Sequence, residues 1–439
     1  MLRDAFFKIF EKVYVIVAFL YFAGALFTSH VAEGDLSQRQ NSDIFKIFLQ
    51  LALFGILAVL ILIHKQTFLA GVRSSGWIMA LSLFAILSSA WSADHAFSLR
   101  RALILFAMTC FAIYVGSRFD LDEFLDAFAW AFVIVIAASL FVVIFFPGYG
   151  ISQDIHAGDW IGLFVHKNIL GLQMVLALFT LGTGKPASMP TILRYWFIAC
   201  ALVLLMFSRS AASLIALLFL LSVYPLSALL RLPRRPAITV GALAFPIAAV
   251  GTALVVTNLD SALQVLGRNA TLTGRIPLWN AVLDSIREKP WLGYGYGSFW
   301  RLPGGEAQTV IARVHWFAPH AHNGFLDLCL DVGLVGLALF ACGLFVAYWR
   351  AIRTYRLSSG LVERWPLFFL LLLTIYNFAE SHLMRLLSTL WIPYAATYVC
   401  LSLALARQEA TEVAQEWTAA SAPAATSLPG TQLAVDSRS

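Results

Sequence analysis

Residues 124–146 read FLDAFAWAFVIVIAASLFVVIFF, an apolar run with a single charged side chain, Asp126. A helix needs about 20 such residues to cross a bilayer core of about 30 Å. Similar runs recur along the 439 residues, of which 60% are hydrophobic and 12% are charged. Soluble domains carry about twice that share of charge. The sequence therefore predicts an all-α fold, a polytopic membrane helical bundle, instead of the two or three soluble domains that length alone would suggest.

Runs of this kind occur at twelve places, and each is predicted to be a transmembrane helix. The first run follows Arg3, Lys8 and Lys12 and resembles a signal peptide, but the many later runs favour an uncleaved helix. Lys and Arg collect in alternate loops, as in cytoplasmic loops, so both termini are predicted to be cytoplasmic. The twelve predicted spans are residues 13–29, 44–63, 76–91, 99–116, 124–146, 161–181, 192–207, 211–230, 237–257, 322–349, 365–380 and 387–406.

The net charge of +6 follows from the same loop pattern, so it gives no reason to expect a nucleic-acid partner. The tail at 407–439 is rich in Ala, Ser, Thr and Pro and is predicted to be disordered and cytoplasmic. The five cysteines lie inside apolar runs, which predicts neither a disulfide framework nor a zinc cluster. They are Cys110, Cys200, Cys329, Cys342 and Cys400.

One predicted outside loop, residues 258–321, is far longer than the others, and loops of this size are uncommon without a role. Within it, residues 275–287 read RIPLWNAVLDSIR and place apolar side chains on one helix face, with Pro277 in the first turn. An amphipathic helix of this kind is suited to a membrane surface. The loop also carries many basic and Trp residues, namely Arg268, Arg275, Arg287, Lys289, Arg301, Arg313, Trp279, Trp291, Trp300 and Trp316.

The first candidate for chemistry opens the tenth run with His320-Ala-His322-Asn323, at a depth where ionisable groups are functional candidates. Asn323, Asp327 and Asp331 recur every four residues and so share one helix face. Imidazole, with a reference pKa of about 6.5, can accept a proton from a hydroxyl near neutral pH. For His322 this role and a local hydrogen bond stay equally open, whereas for His320 the local bond is favoured.

Two arginines are candidates for anion binding. Arg209 stands in Ser208-Arg209-Ser210 at a turn between two apolar runs, and Arg275 begins the amphipathic helix. A guanidinium matches the geometry of phosphate, and the start of a helix attracts anions. The alternatives stay open as well: Arg209 would snorkel to the interface, and Arg275 would be a solvated loop residue.

Two weaker clusters are His166-Lys167-Asn168, at the start of the sixth run, and the group Glu380, His382 and Arg385 in the last outer hairpin. Their members would face a shared cavity or simply cap helices. Neither a metal-ligand spacing such as H-E-x-x-H nor a Ser nucleophile motif occurs in the sequence, so no metal is expected. Arginines, one histidine and acidic groups on one membrane face suit a phosphate leaving group and an activated hydroxyl.

These residues resemble a known family, the O-antigen ligase and polymerase superfamily. His322-Asn323, nine residues and Gly333-x-x-Gly336 match its H-N-x9-G-x-x-G pattern, although the two glycines by themselves indicate close packing between helices. Residues 273–295 resemble its large periplasmic loop, Ser208-Arg209-Ser210 its arginine hairpin, and His166-Lys167-Asn168-x-x-Gly171 a further stretch. Together these cover residues 90–400. Among members, the chain is most similar to exopolysaccharide polymerases of the ExoQ type.

The resemblance implies about twelve helices in the bacterial inner membrane, one large periplasmic loop and an active site that faces the periplasm. It implies a glycosyltransferase that moves an undecaprenyl-diphosphate-linked glycan to a sugar hydroxyl of an acceptor glycan, without a cofactor or an essential metal. The family's roles carry over to His322 as catalytic base and to Arg209 and Arg275 as diphosphate binders. The supporting residues expected are Asn323, Asp327, Asp331, His166, Lys167, Glu380, His382 and Arg385.

Three functions stay open at this point. A polymerase would lengthen a polysaccharide by repeat units, with a separate chain-length regulator left open as a partner. A ligase would join finished polymer to a lipid or protein acceptor; the lack of an acceptor-binding domain in the sequence favours the polymerase. A flippase or other transporter would carry ionisable groups near the bilayer midplane, whereas here they cluster at the outer mouth. Asp327 or Asp331 is expected to orient His322 or a neighbouring helix.

Overall fold

The structure is a computed structural model. It describes residues 2–26, 36–153, 156–184, 189–232, 275–301, 306–358, 360, 362–386 and 388–421. The predicted span at 237–257 and the first part of the long loop, residues 258–274, lie outside the described residues. Every statement below concerns the described ranges.

Helices dominate the described ranges, in agreement with the predicted all-α class. Short 3-10 helices follow α4 at Ser88–Trp91, follow α10 at Pro225–Arg231 and precede α14 at Val362–Arg364. The α-helices are α1 Leu2–Phe22, α2 Leu36–Ile63, α3 Lys65–Ser74, α4 Gly76–Leu87, α5 His95–Arg118, α6 Leu121–Phe145, α7 Pro147–Gly150, α8 Lys167–Thr183, α9 Thr191–Ser208, α10 Ala211–Val223, α11 Arg275–Glu288, α12 Ala307–Val314, α13 Gly324–Leu357, α14 Trp365–Ala379 and α15 Trp391–Ser421.

The chain is a multi-pass membrane protein. In the described part, six helices are long and apolar enough to cross a bilayer, and up to eight if each of two bent pairs forms one span. Eleven of the twelve predicted spans overlap a helix, and the remaining one lies outside the described residues. The number of crossings, twelve, stays a prediction.

The core forms around α5 and α8. Helix α5 packs against α3, α4 and α15, and α8 packs against α6, α9, α10 and α14. Small residues allow close approach between such helices. At Gly116 of α5, for example, an added Cβ would overlap the backbone carbonyl of Ala396 in α15. This packing brings the first turn of α8, the last turn of α9 and the last turn of α14 to one end of the bundle, called the site end below.

Helix α13 is broken at Gly333, whose φ of 66° and ψ of −171° are not helical. Residues 290–295 of the long loop fill the break. Tyr294 and Gly295 donate backbone N–H groups to the carbonyls of Leu330 and Asp331, at 2.7 and 3.0 Å. The N–H groups of residues 334 and 335 donate to the carbonyls of residues 290 and 291, at 2.8 and 3.2 Å. The loop thereby supplies the partners that the broken helix lacks.

That break changes the interpretation of the two motif glycines. Close packing between membrane helices was expected at Gly333, but a Cβ there would overlap the backbone of Trp291 in the loop. At Gly336 an added Cβ would overlap the side chain of Val332, one turn back in the same helix. The close approach at Gly333 is therefore between the helix and the loop, and not between two membrane helices.

The prediction of disorder from residue 407 is wrong up to Ser421, because α15 continues that far. Residues 407–421 read RQEATEVAQEWTAAS, and Ala, Glu, Gln and Arg are strong helix formers. An ion pair between Arg353 and Glu409, at 2.7 Å, ties this extension to α13. Residues 422–439 lie outside the described residues.

Candidate functional site

Polar side chains at the site end are held by the ends of helices. Asn323 is the N-cap of α13, where its Oδ1 accepts hydrogen bonds from the N–H groups of Phe325 and Leu326. His166 is the N-cap of α8 and accepts a hydrogen bond from the N–H of Asn168. Glu380 is the C-cap residue of α14. Capping satisfies backbone groups that a helix end leaves unpaired, so these three residues have structural roles whatever else they do.

Glu380 is the hub of the site. Its carboxylate is buried, with 5% of the residue exposed. Oε1 accepts hydrogen bonds from Asn168 Nδ2 at 2.7 Å and from an Arg275 amino group at 3.1 Å, and Oε2 faces His322 Nδ1 at 3.2 Å. Burial raises the pKa of Glu380, but the hydrogen bond and charge of His322 and the charge of Arg275 outweigh it and lower this pKa to about 2. The carboxylate is therefore ionised near neutral pH.

His322 is presented by an unusual backbone conformation. Its φ is 49°, a left-handed value that is uncommon outside glycine and is found where the surroundings enforce it. Because Glu380 is ionised, His322 Nδ1 carries the proton and donates it to Oε2. The backbone N–H of His322 donates to His320 Nδ1 at 3.1 Å, and the two rings lie 4.1 Å apart. When the ring is neutral, the other ring nitrogen of His322, Nε2, is left as an acceptor.

A second carboxylate lies beside the first group. Asp159, with 1% of the residue exposed, accepts a hydrogen bond from Lys167 Nζ at 2.8 Å, and Arg209 approaches its other oxygen at 3.5 Å. Arg209 has a left-handed φ of 48° at the end of α9, and half of its side chain is exposed. Lys167 and Arg209 thus form a cationic pair with one buried counter-charge. The hydrogen bonds from Ser210 to Asn168 and from Asn168 to Glu380 link the two carboxylate groups.

Three further histidines at the site end are kept neutral. Burial, assisted by the charge of Arg385, lowers the pKa of His320 to about 2. Burial also lowers the pKa of His382 to about 4, and it lowers that of His166 against the opposing effect of Glu380. His382 contacts the ring of Tyr376 at 5.4 Å. These residues enclose the site without adding positive charge to it.

The group formed by His320, His322 and Glu380 raises the question of a metal. Donor atoms of His320, His322 and Glu380 lie within 4.8 Å of one another, a set that could hold an ion. The sequence-based expectation of no metal rested on spacing, and residues 320 and 380 are too far apart in the chain for spacing to detect them. Arg275 already donates to Glu380, and a guanidinium beside the carboxylate opposes a second cation there.

Asp327 and Asp331 do not contact His322. Asp327 accepts hydrogen bonds from Trp300 Nε1 at 2.7 Å and from the N–H of Ala321 at 3.1 Å. Asp331 accepts one from the N–H of Gly297 at 3.0 Å. Both carboxylates therefore bind the long loop, and the group that orients His322 is Glu380.

No hydrogen bond or ion pair joins Arg385 to another described residue. Its side chain lines a cavity together with the two aspartates.

Sequence reasoning identified most members of the site but missed Asp159, Asn168 and Trp279 as partners. Asn168 was recognised from the sequence only as part of a motif, and nothing in the spacing of Asp159 or Asn168 reveals their contacts. Trp279 donates Nε1–H to the carbonyl of Ala321 at 2.9 Å. It therefore holds in place residues 320–322, called the histidine segment below. The signal for Trp279 was its position on the apolar face of the amphipathic helix, now α11.

Fold and site together define a helical multi-pass membrane protein with a buried carboxylate, histidine and arginine group at one end of the bundle. Comparisons with known proteins show which family the chain resembles. Residues 196–341 match the model of a family described as O-Antigen ligase. That segment contains Arg209, Arg275 and His322, so the resemblance predicted from the sequence is confirmed.

Individual relatives agree with the family match. Exopolysaccharide production protein ExoQ of Rhizobium meliloti (strain 1021) is 26% identical over 316 residues, which are 68% of this chain and 70% of that protein. A Rickettsia conorii protein provisionally named a polysaccharide ligase is 30% identical over 105 residues, 23% of this chain and 25% of its own. A similarly named Rickettsia typhi protein is 28% identical over 158 residues, 35% of this chain and 37% of its own.

Proposed function

We propose that this protein is a membrane glycosyltransferase, a polysaccharide polymerase. It transfers a glycan from an undecaprenyl-diphosphate carrier to a sugar hydroxyl of an acceptor glycan. The observation that carries the proposal is the contact of Glu380 with His322 on one oxygen and with Arg275 on the other. A base and a cationic phosphate ligand are thereby held side by side by one buried carboxylate. The similarity to an exopolysaccharide production protein supports the polymer product.

The proton transfer uses His322 as the general base. Its Nδ1–H is held by Glu380, so Nε2 takes the proton of the acceptor hydroxyl. The hydroxyl oxygen then forms a bond to the anomeric carbon of the donor sugar while the bond from that carbon to the diphosphate breaks. Attack in line with the leaving group inverts the anomeric centre. The imidazolium that results is stabilised by the ionised carboxylate of Glu380, as in other histidine and carboxylate pairs.

The leaving group is the lipid diphosphate, and the arginines stabilise its charge. Arg275 uses two donors, one on Glu380 and one on the carbonyl of Ala379 at 2.6 Å, which leaves the rest of its five for phosphate. It is also the first residue of α11, where the helix start adds attraction for an anion. Arg209 is half exposed and Lys167 stands beside it. Preorganised positive charge of this kind is the main source of catalysis when a phosphate leaves.

The proposal includes a location and a domain organisation. The site end faces the periplasm of a bacterial inner membrane, and both termini face the cytoplasm, because Lys and Arg collect in the loops of the opposite end. Residues 1–406 form one catalytic membrane domain, with the large loop at 258–321 lying in the periplasm. The partners are the lipid-linked donor, the acceptor glycan and the bilayer. A chain-length regulator would act through a surface of this domain.

A ligase is the second candidate, and two observations favour it. The matching family is described as O-Antigen ligase, and the Rickettsia relatives are provisionally named polysaccharide ligases. A ligase would use the same base and the same arginines, and only its acceptor would differ. The acceptor in the assay therefore separates the two candidates.

The test is incubation of the purified protein with a repeat unit linked to undecaprenyl diphosphate, followed by analysis of glycan length on a gel. A ladder from wild type and none from His322→Ala is the expected result. If wild type makes a product only when a lipid or protein acceptor is added, the ligase replaces the polymerase. If His322→Ala makes the same ladder as wild type, His322 is not the base. If neither makes product but wild type moves the donor across liposome membranes, the protein is a flippase.

A further inference from the structure

A cavity of about 180 Å³ adjoins the candidate site at Pro319, the residue immediately before His320. Its walls also include Arg101, Trp300, Asp331 and Arg385. The proposed diphosphate ligands, Lys167, Arg209 and Arg275, do not line it. The cavity is therefore next to the histidine segment, residues 320–322, but separate from those ligands.

The polar groups around this cavity are incompletely paired in the described structure. Arg101 Nε is buried without a hydrogen-bond partner. Arg385 has no hydrogen bond or ion pair with another described residue. Asp331 accepts one hydrogen bond, from Gly297, and its carboxylate has room for more. Buried polar groups that lack partners are costly, so a cavity with both donors and acceptors unsatisfied is suited to a ligand that offers both.

The charges disfavour a charged ligand. An anion would satisfy Arg101 and Arg385 but would be repelled by the carboxylate of Asp327, which lines the same cavity. A cation would be repelled by the arginines. A neutral polyol can donate to the carboxylates and accept from the guanidinium groups at the same time. Trp300, whose indole is fixed by Asp327 at 2.7 Å, adds an apolar ring surface. The volume is below the roughly 300–1,000 Å³ of pockets for drug-sized ligands, which suits one sugar ring.

We propose that this cavity binds the acceptor, as a subsite for one uncharged sugar ring of a hydroxyl-rich glycan that presents its hydroxyl to His322. The assignment rests on the proposed function. Attack in line requires the acceptor and the leaving diphosphate to occupy separate places, and neither Arg275 nor Arg209 lines this cavity. Asp327 connects the two parts, because it holds both Trp300 in the cavity wall and the N–H of Ala321, between the two histidines.

The experiment measures binding, so it does not require turnover. The chain in lipid nanodiscs is titrated with lipid-free repeat-unit oligosaccharide from the host's polysaccharide, and separately with undecaprenyl diphosphate. Asp331→Asn and Arg385→Ala should each weaken oligosaccharide binding about tenfold, the usual loss for a hydrogen bond to a charged group. Both should bind undecaprenyl diphosphate as wild type does. The matched controls are Arg287→Ala, an exposed residue paired with Asp284, and Trp291→Phe, an exposed indole; both should bind both ligands normally.

Each other outcome overturns the assignment. If neither cavity variant weakens oligosaccharide binding while both keep the thermal midpoint of wild type, the cavity is not a sugar subsite. If the variants weaken undecaprenyl diphosphate binding equally, the cavity serves the donor and not the acceptor. Failure of the proposed function looks different: wild type and His322→Ala would bind the oligosaccharide through Asp331 and Arg385, yet wild type would make no polymer.

Discussion

Two buried glutamates at opposite ends of the bundle have nearly the same partners. Glu11, with 1% of the residue exposed, receives two hydrogen bonds from Arg118, at 3.0 and 2.9 Å, and lies 3.2 Å from His64. Glu380, with 5% exposed, holds Arg275 and His322 at similar distances. A carboxylate, an arginine and a histidine therefore occur together twice in this molecule.

The difference lies in where the partners come from. The carboxylate of Glu11 also accepts a hydrogen bond from the Tyr114 hydroxyl. Glu11, Tyr114 and Arg118 all belong to helices packed in the bundle. Around Glu380 the arginine begins a loop helix and the histidine has a left-handed backbone outside any helix. The comparison teaches that a charged triad is not by itself a site. The loop origin of Arg275 and the left-handed backbone of His322 distinguish the candidate site from the ion group around Glu11.

The largest contrast should come from the two histidines. His322→Ala is expected to lower turnover by about 10²–10⁴-fold, because it removes general base catalysis. His64→Ala should leave the turnover of correctly folded protein within about twofold, since His64 contacts Glu11, Phe7 and Tyr114 at the other end of the bundle and no residue of the site. Single-turnover rates with the lipid-linked donor measure both. Equal losses in the two variants would contradict the distinction drawn between the two ends.

The two glutamates should separate activity from stability. Glu380→Gln is expected to lower turnover about 10–100-fold, as loss of an orienting partner does at other sites, while donor binding stays measurable. Glu11→Gln should instead destabilise the fold by on the order of 3 kcal/mol, since it leaves the largely buried Arg118 without a counter-charge. Denaturation curves in detergent, with turnover per folded molecule, measure the two effects. A Glu11→Gln protein that is stable but inactive would refute this assignment.

A smaller effect is expected from a change that keeps the charge. Arg275→Lys retains a cation but loses the planar fork that binds phosphate through two donors, so the KM for the donor should rise about tenfold, as expected for one lost charged hydrogen bond. Arg313→Lys is the matched control, because Arg313 lies in the same loop, is exposed and pairs with Asp284. Unchanged donor KM in Arg275→Lys would argue that Arg275 acts only by holding Glu380.

The most gradual effect is the pH dependence of stability at the site end. His320 and His382 have folded pKa values of about 2 and about 4, below the ordinary 6.5. Between each folded pKa and 6.5, the unfolded state binds more protons than the folded state. The contribution of the two histidines to the free energy of unfolding is therefore complete above pH 6.5 and declines as the pH falls. Each accounts for at most about 1.4 kcal/mol per pH unit. Between pH 6.5 and 4.5, His320→Asn/His382→Asn should show a shallower decline than wild type in detergent denaturation; an identical decline would contradict the burial of both rings.

Hydropathy predicted the helical fold well, because a membrane helix is encoded within about twenty consecutive residues. His322 and Arg275 were also recognisable, since ionisable groups at the ends of apolar runs are costly. The role of Glu380 as the shared partner of these residues was not recognisable in the same way. Asn168, Arg275, His322 and Glu380 meet across more than 200 positions of chain, and only helix packing brings them together. Glu380 therefore ranked among supporting residues, and Asp159 was not a candidate.

Two local predictions failed for different reasons. The tail was predicted from its overall composition, although the first part of it, up to Ser421, is rich in helix-forming residues and continues α15. Gly333 was interpreted from the rule for packing between membrane helices. Its backbone instead breaks the helix, and a single sequence does not show which loop fills the gap.

The break at Gly333 also has a consequence for biogenesis. A helix with a gap would enter the membrane with unpaired backbone groups, which lipid cannot satisfy. Residues 290–295, which pair with both sides of the gap, precede α13 in the chain and so are synthesised before it. The loop is thus synthesised before the helix that needs it. The segment beside the proposed site therefore also supplies the backbone partners that complete the next membrane helix.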